Sequence, residues 1–169
     1  MDTPITGSIE VTREGWLHIR LDTLLPNRKY SSVSHINEAV YNLLEQYEGD
    51  LPYFEKALLV IDEHSNGQTR RVYDNDNKAW KAIPNAMKGL LFADDDDRTL
   101  SFLLMTTESA RSECHIYLIP LEDGARFINR RFKTPKMPPT GFLSRWISRL
   151  GLGGIFGFIS QWFQRLPRR

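Results

Sequence analysis

The sequence predicts an α+β domain with two main helices, followed by a basic, aromatic-rich C-terminal tail. The predicted elements follow the order β-β-α-β-α-β-β, in which helices are few and the strands mostly hairpin-like, as in α+β folds. The hydrophobic fraction of 41% and the charged fraction of 25% are ordinary for a soluble globular domain. The composition changes at residue 124, which sets the tail apart from the domain.

The first elements are a β-hairpin and a helix. Residues 8–21 alternate apolar and polar side chains on both sides of Glu14-Gly15, which predicts two strands joined by a turn. A loop with Pro26 and Asn27 follows. Residues 35–47 then predict a helix, capped by Ser32 or Ser34, because apolar residues recur at helical spacing at Ile36, Ala39, Val40, Leu43, Leu44 and Tyr47.

Three further strands complete the predicted domain. Residues 56–62 form a compact apolar run with the length of a buried strand, and residues 64–67 are interpreted as the turn after it. Residues 100–106 and 114–120 predict the last two strands. On the final strand, His115, Tyr117 and Ile119 share one face, and His115 is interpreted as a surface histidine. Cys114, the only cysteine, excludes an internal disulfide and is interpreted as structural.

Charge divides the chain into three predicted regions: a domain over 1–123, a basic proline-containing linker over 124–140 and an amphipathic basic tail over 141–169. Residues 124–169 contain ten of the 22 Lys/Arg and no Asp/Glu, so they carry +10, whereas the domain carries −9. Such asymmetry indicates an anionic partner, nucleic acid or membrane, or a tail that folds back on the domain. The uncharged part of residues 141–166 is too short to span a bilayer, so a membrane-surface or protein-binding helix, or an oligomerisation arm, fits better.

The segment 73–97 carries the candidate chemistry. Asp74 and Asp76 open it and Asp94 to Asp97 close it, on either side of a short, mostly apolar segment. Crowded carboxylates repel one another unless cations or water neutralise them, and Mg²⁺ prefers oxygen ligands. Lys78 and Lys81 lie between the two groups, and a lysine beside such metals stabilises a phosphoryl transition state. The alternative is two solvated acidic loops.

The segment resembles the active-site region of the RusA-type Holliday junction resolvases. Residues 74–77 read Asp-Asn-Asp-Asn, which matches the first part of the family's motif, and Asn85-Ala86-Met87 before the acidic run matches the second. The loop at residues 26–30, Pro-Asn-Arg-Lys-Tyr, and the order of strands around it extend the resemblance over residues 9–122. The sequence departs from the family at Trp80, which stands where the family has a lysine.

The resemblance implies a fold, a cofactor, a substrate and a set of site residues. It implies a small mixed sheet and a homodimer that cuts branched DNA with Mg²⁺ held by Asp74, Asp76 and one of Asp95 or Asp96. Lys81, or Lys78 as second choice, would stabilise the phosphate charge. A local bulge or a helix restart at Pro84 would be needed to place Lys81. The residues expected to contact DNA are Arg28, Lys29, Tyr30, Lys78, Arg130, Arg131 and Lys133.

Two functions therefore follow from the sequence. The first is a Mg²⁺-dependent, structure-specific DNA endonuclease or a descendant of one. The alternative is a non-catalytic module of the same fold whose tail, residues 141–166, binds a membrane surface or a protein partner. No signal peptide precedes the domain, so we expect a cytoplasmic protein, with membrane association through the tail as an extension.

Overall fold

A computed structural model of the chain describes residues 5–26, 33–66 and 78–132. The described residues form five strands, three α-helices and two short 3-10 helices. In chain order these are β1 (Gly7–Val11), β2 (Leu17–Leu21), α1 (Ser34–Glu45), β3 (Ala57–Ser65), a 3-10 turn (Ala79–Lys81), α2 (Ala82–Met87), β4 (Leu100–Glu108), β5 (Glu113–Pro120), a second 3-10 turn (Leu121–Asp123) and α3 (Gly124–Arg131).

The five strands form one mixed sheet in the order β1-β2-β5-β3-β4. Strands β3 and β4 run parallel, and every other neighbouring pair is antiparallel. The predicted hairpin is confirmed, because β1 pairs with β2 from Gly7–Leu21 to Val11–Leu17. Its turn contains Gly15 at a φ of +79°, a backbone conformation that favours glycine. The α+β class is therefore confirmed, with a sheet that is mixed at β3 and β4.

Strand β3 is longer than the sequence predicted. It continues through His64 to Ser65, although residues 64–67 were expected to turn. The strand lies between β4 and β5, and both neighbours pair with it as far as His64. Backbone pairing on both sides keeps these polar residues extended, so the prediction of a turn at His64 was wrong.

Helices α1 and α2 supply buried side chains to one hydrophobic core with the apolar face of the sheet. The predicted core residues of α1 are confirmed at Ile36, Ala39, Val40 and Leu44, and Leu43 packs at the edge of the same core. Val33, rather than a serine, stands at the N-cap and makes no side-chain cap hydrogen bond. Ser34 is the first helical residue, and Ser32 lies outside the described residues.

Pro84 is accommodated because the second helix begins late. A 3-10 turn covers Ala79–Lys81, and α2 starts only at Ala82, so Pro84 lies in its first turn. The backbone N–H groups of a first turn have no partner within the helix, and proline therefore loses no hydrogen bond there. Of the two arrangements that the sequence allowed, a local bulge or a helix restart, the structure shows a new helix that starts at Ala82, two residues before Pro84.

The chain divides into two compact units, residues 1–126 and 127–169. The sheet, α1 and α2 belong to the first unit. Residues 124–131, predicted as the start of a linker, form α3. In the first unit, Asp123 accepts hydrogen bonds from Trp16 Nε1 at 2.7 Å and from Arg126 at 2.8 Å. Among the described residues, no helix is long and apolar enough to cross a membrane.

Candidate metal centre

The face of the sheet opposite α1 and α2 carries a band of polar side chains. Side chains two residues apart on a strand share a face, and residues in register on neighbouring strands lie side by side on it. The pairings of β1 to β5 place three of the four histidines in this band. We call it the histidine face, and its members are Glu10, His18, Arg20, Asp62, His64, Thr107, Glu113, His115 and Tyr117.

Three of these side chains converge tightly enough to hold one ion. One ligand atom each from His64, Glu113 and His115 lies within 4.8 Å of the other two. Glu113 Oε1 is 3.2 Å from His115 Nε2 and 3.9 Å from His64 Nδ1. In a tetrahedral site with metal–ligand bonds of about 2.1 Å, ligand atoms stand about 3.4 Å apart. Glu113 and His115 are already near this spacing, and a separation at the 4.8 Å limit would have to close by about 1.4 Å for the three groups to share one ion.

Strand pairing explains why these three residues meet. His64 of β3 is in register with Glu113 of β5, and His115 follows Glu113 by two residues on the same face. Their side chains are only 13–15% exposed. Neighbouring atoms therefore hold the side chains in place, while the remaining exposure lets an ion enter. Three ligands from two paired strands stand on a rigid part of the fold.

A carboxylate holds the outer nitrogen of His64. Asp62 is fully buried, and its Oδ2 lies 3.2 Å from His64 Nε2. The hydroxyl of Thr107 donates to Asp62 at 2.9 Å and 3.1 Å, so the carboxylate is itself fixed. A carboxylate on the outer nitrogen of a histidine fixes the tautomer in which the inner nitrogen offers a lone pair. His64 Nδ1 is then the ligand atom, and it faces Glu113.

His115 has an equivalent outer partner in His18. The Nδ1 of His115 lies 2.9 Å from His18 Nε2, and His18 Nδ1 lies 2.8 Å from Glu10 Oε1. The ring of His18 stacks on Tyr117 with centroids 4.3 Å apart and an interplanar angle of 6°. The other ring nitrogen of His115, Nε2, does not contact His18 and lies beside Glu113.

The series of contacting side chains from Glu10 through His18 and His115 to Glu113 lacks one proton. It contains three contacts, each of which needs one N–H. Two neutral imidazoles supply one N–H each, and carboxylates only accept. When His18 donates to Glu10 and His115 donates to His18, the lone pair of His115 Nε2 faces the Glu113 carboxylate. In that tautomer a cation between these two atoms, a proton or a metal ion, completes the series. When His115 donates to Glu113 instead and accepts from His18, the unfilled contact is the one between His18 and Glu10.

Burial favours the protonation states that bind metals. Burial lowers the pKa of His115, although the hydrogen bond to Glu113 opposes the shift. The hydrogen bond from His115 lowers the pKa of Glu113. At neutral pH the site therefore presents a neutral imidazole beside a carboxylate. Metal ligands must be deprotonated in this way.

The donor set indicates which ion fits. Two imidazole nitrogens and one carboxylate oxygen suit Zn²⁺ and its neighbours among the first-row transition metals. Mg²⁺ prefers oxygen ligands in octahedral geometry and keeps several waters. Zinc sites that carry out chemistry have three protein ligands and a fourth position open to water or substrate. This cluster matches that arrangement, with Asp62 and His18 as outer partners.

The acidic run has a different environment. Lys88 Nζ lies 2.5 Å from Asp94 and 3.2 Å from Asp95, and these hydrogen bonds raise the pKa of Lys88 and lower that of Asp94. Asp96 Oδ1 accepts from the backbone N–H groups of Arg98 at 3.1 Å and Thr99 at 2.9 Å. The run is an exposed turn before β4, in which a lysine and backbone donors satisfy these carboxylates.

The two candidate lysines differ in their surroundings. Lys78 is 5% exposed and forms an ion pair with Glu63, which also accepts from the backbone N–H of Leu25 at 3.0 Å. This ion pair lies on the core side of the sheet. Lys81 is exposed, and its Nζ lies 5.5 Å from the ring centroid of Trp80.

The other predicted site residues divide into two groups. Arg130 and Arg131 are exposed in the last turn of α3. The remaining ones lie outside the described residues, namely Arg28, Lys29, Tyr30, Asp74, Asp76 and Lys133.

The sequence reasoning missed His64, Glu113 and His115 as a cluster. The signal was present in two spacings, Asp62-x-His64 and Glu113-x-His115, each of which places two polar side chains on one strand face. Interpreting His64 as a turn residue removed the first of them. Even with both pairs in view, nothing in the sequence shows that β3 and β5 are neighbours.

Comparisons with known proteins give a family and little else. No curated protein matches the chain. Among solved structures, the periplasmic domain of Helicobacter pylori MotB is similar at 10% identity and a TM-score of 0.34, over 79% of this chain and 90% of that one. A similarity this low supports no argument about fold or function. A family model described as a family of unknown function, DUF6100, matches residues 3–138, and the chain belongs to this family.

Proposed function

We propose that this protein binds a first-row transition-metal ion, with Zn²⁺ as the best fit, between His64, Glu113 and His115. The ion keeps at least one coordination position for water or a ligand. The observation that carries the proposal is the approach of one ligand atom from each of these residues to within 4.8 Å of the others.

The outer hydrogen bonds strengthen the proposal. A surface cluster formed by chance has no reason to fix the far nitrogen of each imidazole, yet Asp62 lies on that of His64 and His18 on that of His115. Such partners typically contribute 10–100-fold to metal affinity.

The chemistry available at such a centre is that of a Lewis acid with a bound water. Zn²⁺ with three protein ligands lowers the pKa of its water to about 7 and polarises phosphoryl or carbonyl oxygens. In this chain, His64 and His115 would orient the open position away from the sheet. Hydrolysis is therefore the reaction class that the centre supports best.

Metal titration of the full chain tests the proposal. Chelator-treated protein is titrated with Zn²⁺ and, separately, with Mg²⁺ by isothermal calorimetry, and with Co²⁺ by visible absorption. We expect one Zn²⁺ per chain with tight affinity, a tetrahedral Co²⁺ spectrum, and no comparable Mg²⁺ binding at this site. His64→Gln and His115→Gln should each weaken Zn²⁺ binding by more than about 100-fold.

His35→Gln is the matched control, because His35 is an exposed histidine on α1. It should bind Zn²⁺ like the wild type. Equal affinity of the wild type and both ligand variants would rule out this centre.

A second candidate function is the Mg²⁺-dependent, RusA-like endonuclease, with Asp74, Asp76 and Asp95 or Asp96 as ligands. One observation favours it. The backbone N–H of Ala79 donates to the carbonyl of Pro26 at 3.0 Å. The chain just after the Asp-Asn-Asp-Asn motif therefore meets the chain just before Arg28-Lys29-Tyr30, and the resemblance covers both of these segments.

Cleavage of branched and linear DNA with and without Mg²⁺ tests this second function. A nuclease of this class should cut four-way junctions as a homodimer, and Asp76→Asn should abolish cutting. The absence of cleavage together with unchanged DNA binding by that variant would remove it. The same assay with Zn²⁺ and His115→Gln distinguishes the two centres. Asp76→Asn should affect only what depends on Mg²⁺, and His115→Gln only what depends on Zn²⁺.

A separate proposal concerns the C-terminal tail. Residues 141–166 would bind a membrane surface or a protein partner through their aromatic and basic side chains. Co-sedimentation of the full chain with anionic liposomes, compared with residues 1–133, tests the membrane version. Equal sedimentation of both proteins would contradict it.

A further inference from the structure

Arg20 lies beside the candidate metal centre on the same face of the sheet. It stands on β2 in register with His115 of β5, which in turn is in register with Asp62 of β3. Side chains directly opposite each other on antiparallel strands start about 5 Å apart at Cβ. The arginine side chain is longer than this separation, so its guanidinium is long enough to reach a ligand on the metal.

Most of the hydrogen-bonding capacity of Arg20 is unused. Its Nη2 lies 3.3 Å from Asp22 Oδ1, and the other oxygen of Asp22 accepts from the hydroxyl of Thr6 at 3.0 Å. The Nε of Arg20 is shielded from solvent and has no hydrogen-bond partner among the residues that the structure describes. A guanidinium has five N–H donors in a fixed fork. The side chain is 36% exposed, so the head group can turn towards an acceptor on the open side of the face.

A metal ion at the centre would change the charge balance around Arg20. With a divalent ion at the centre, the positive charge of the metal would stand beside the guanidinium. Two like charges held this close are relieved by an anion that bridges them.

We infer that the face binds a phosphate monoester, with one phosphoryl oxygen on the open position of the metal and two others on the guanidinium fork of Arg20. This inference rests on the proposed metal function. A phosphoryl group offers enough oxygens to satisfy the metal and the fork together, whereas a carboxylate offers two. Bidentate pairing of arginine with phosphate is the geometry for which the guanidinium is suited. A monoester has three oxygens that carry no ester group, one for the metal and two for the fork, whereas a diester has only two. The class of ligand is therefore a phosphate monoester.

Calorimetry of the Zn²⁺-loaded full chain with inorganic phosphate, phenylphosphonate and acetate tests the inference. Phosphate and phenylphosphonate should bind, and acetate should bind at least about tenfold more weakly. Arg20→Gln should weaken phosphate and phenylphosphonate binding by about tenfold or more, since a hydrogen bond to a charged group is lost. Arg20→Lys keeps the charge and loses the fork. Its affinity for phosphate should therefore lie between that of Arg20→Gln and that of the wild type.

Arg98→Gln is the matched control. Arg98 is exposed just before β4, at the opposite end of the sheet from His64, and the change should leave phosphate binding unaltered. Phosphate binding that is equal in the wild type and Arg20→Gln, while both bind Zn²⁺, would overturn the inference and leave the metal centre standing. Failure of the wild type to bind Zn²⁺ would overturn the metal centre and this inference with it.

Discussion

The acidic run at residues 94–97 and the histidine face both concentrate carboxylates, but they do so in different environments. In the acidic run, Asp94 and Asp95 are exposed and share Lys88, while Asp96 caps a turn. On the histidine face, Asp62 is fully buried and Glu113 is 15% exposed, and imidazoles lie against both. Solvent and nearby donors satisfy the first group. The second group is held by strand pairing in an order that leaves a place for a cation.

The comparison shows why density of acidic residues is a weak guide to a site. Four consecutive aspartates are conspicuous in the sequence, yet water and a turn accommodate them at little cost. A carboxylate shielded from water needs a specific partner, because burying an unpaired charge is expensive. Mixed nitrogen and oxygen donors that are partly buried and fixed from behind are therefore the more informative pattern.

The largest expected effect concerns two lysine–carboxylate pairs, one buried and one exposed. Lys78→Met leaves Glu63 buried without its counter-charge and should lower the free energy of unfolding by about 3–5 kcal/mol. Lys88→Met removes the partner of Asp94 and Asp95 at an exposed turn and should leave stability unchanged within error. Urea denaturation of both variants measures the difference. Equal stabilities would show that burial does not distinguish the two pairs.

The second effect compares the two carboxylate regions as metal ligands. Glu113→Gln removes the charged ligand between the two imidazoles and should weaken Zn²⁺ binding by more than about 100-fold. The double variant Asp95→Asn/Asp96→Asn should bind Zn²⁺ like the wild type. Calorimetric titration of the three proteins provides the check. A loss of Zn²⁺ affinity in the double variant alone would move the zinc site to the acidic run.

The third effect concerns the partner behind His115. His18→Phe keeps a ring for stacking on Tyr117 but removes the nitrogen that lies against His115, so Zn²⁺ affinity should fall by about tenfold. Tyr117→Phe is the control, because it retains the stacked ring and does not alter that nitrogen contact. If both variants lose affinity equally, the contribution of His18 is packing and not orientation of the ligand.

The smallest effect is a pH dependence of stability in the metal-free protein. Burial lowers the pKa of folded His115 below its ordinary value of 6.5, so the unfolded chain takes up this proton first as the pH falls. The stabilisation is complete above about pH 6.5 and is lost as the pH falls towards the lower folded pKa. Urea denaturation at pH 7.5 and 5.5, with chelator, should show this loss. His115→Gln should reduce the pH dependence and His35→Gln should not. A pH dependence unchanged by His115→Gln would assign it to other groups.

The hairpin, the apolar face of α1 and the final strand could be predicted from residue order, because each depends on local periodicity and a turn residue such as Gly15. The end of β3 could not be predicted in this way. Asp62, Glu63 and His64 are polar enough to suggest a turn, and pairing with β4 and β5 keeps them in the strand. Here the hydrogen bonds to the neighbouring strands outweigh the local turn propensity of these residues.

The sequence by itself determined the α+β class, the element order up to β5 and the presence of His115 and Tyr117 on one strand face. Only the tertiary structure decided that β5 lies between β2 and β3, which brings His18, His115 and His64 together. Periodicity is a local property that every strand carries in its own residues. The neighbours of a strand depend on how the whole sheet closes over one core, so the cluster exists only in the folded chain.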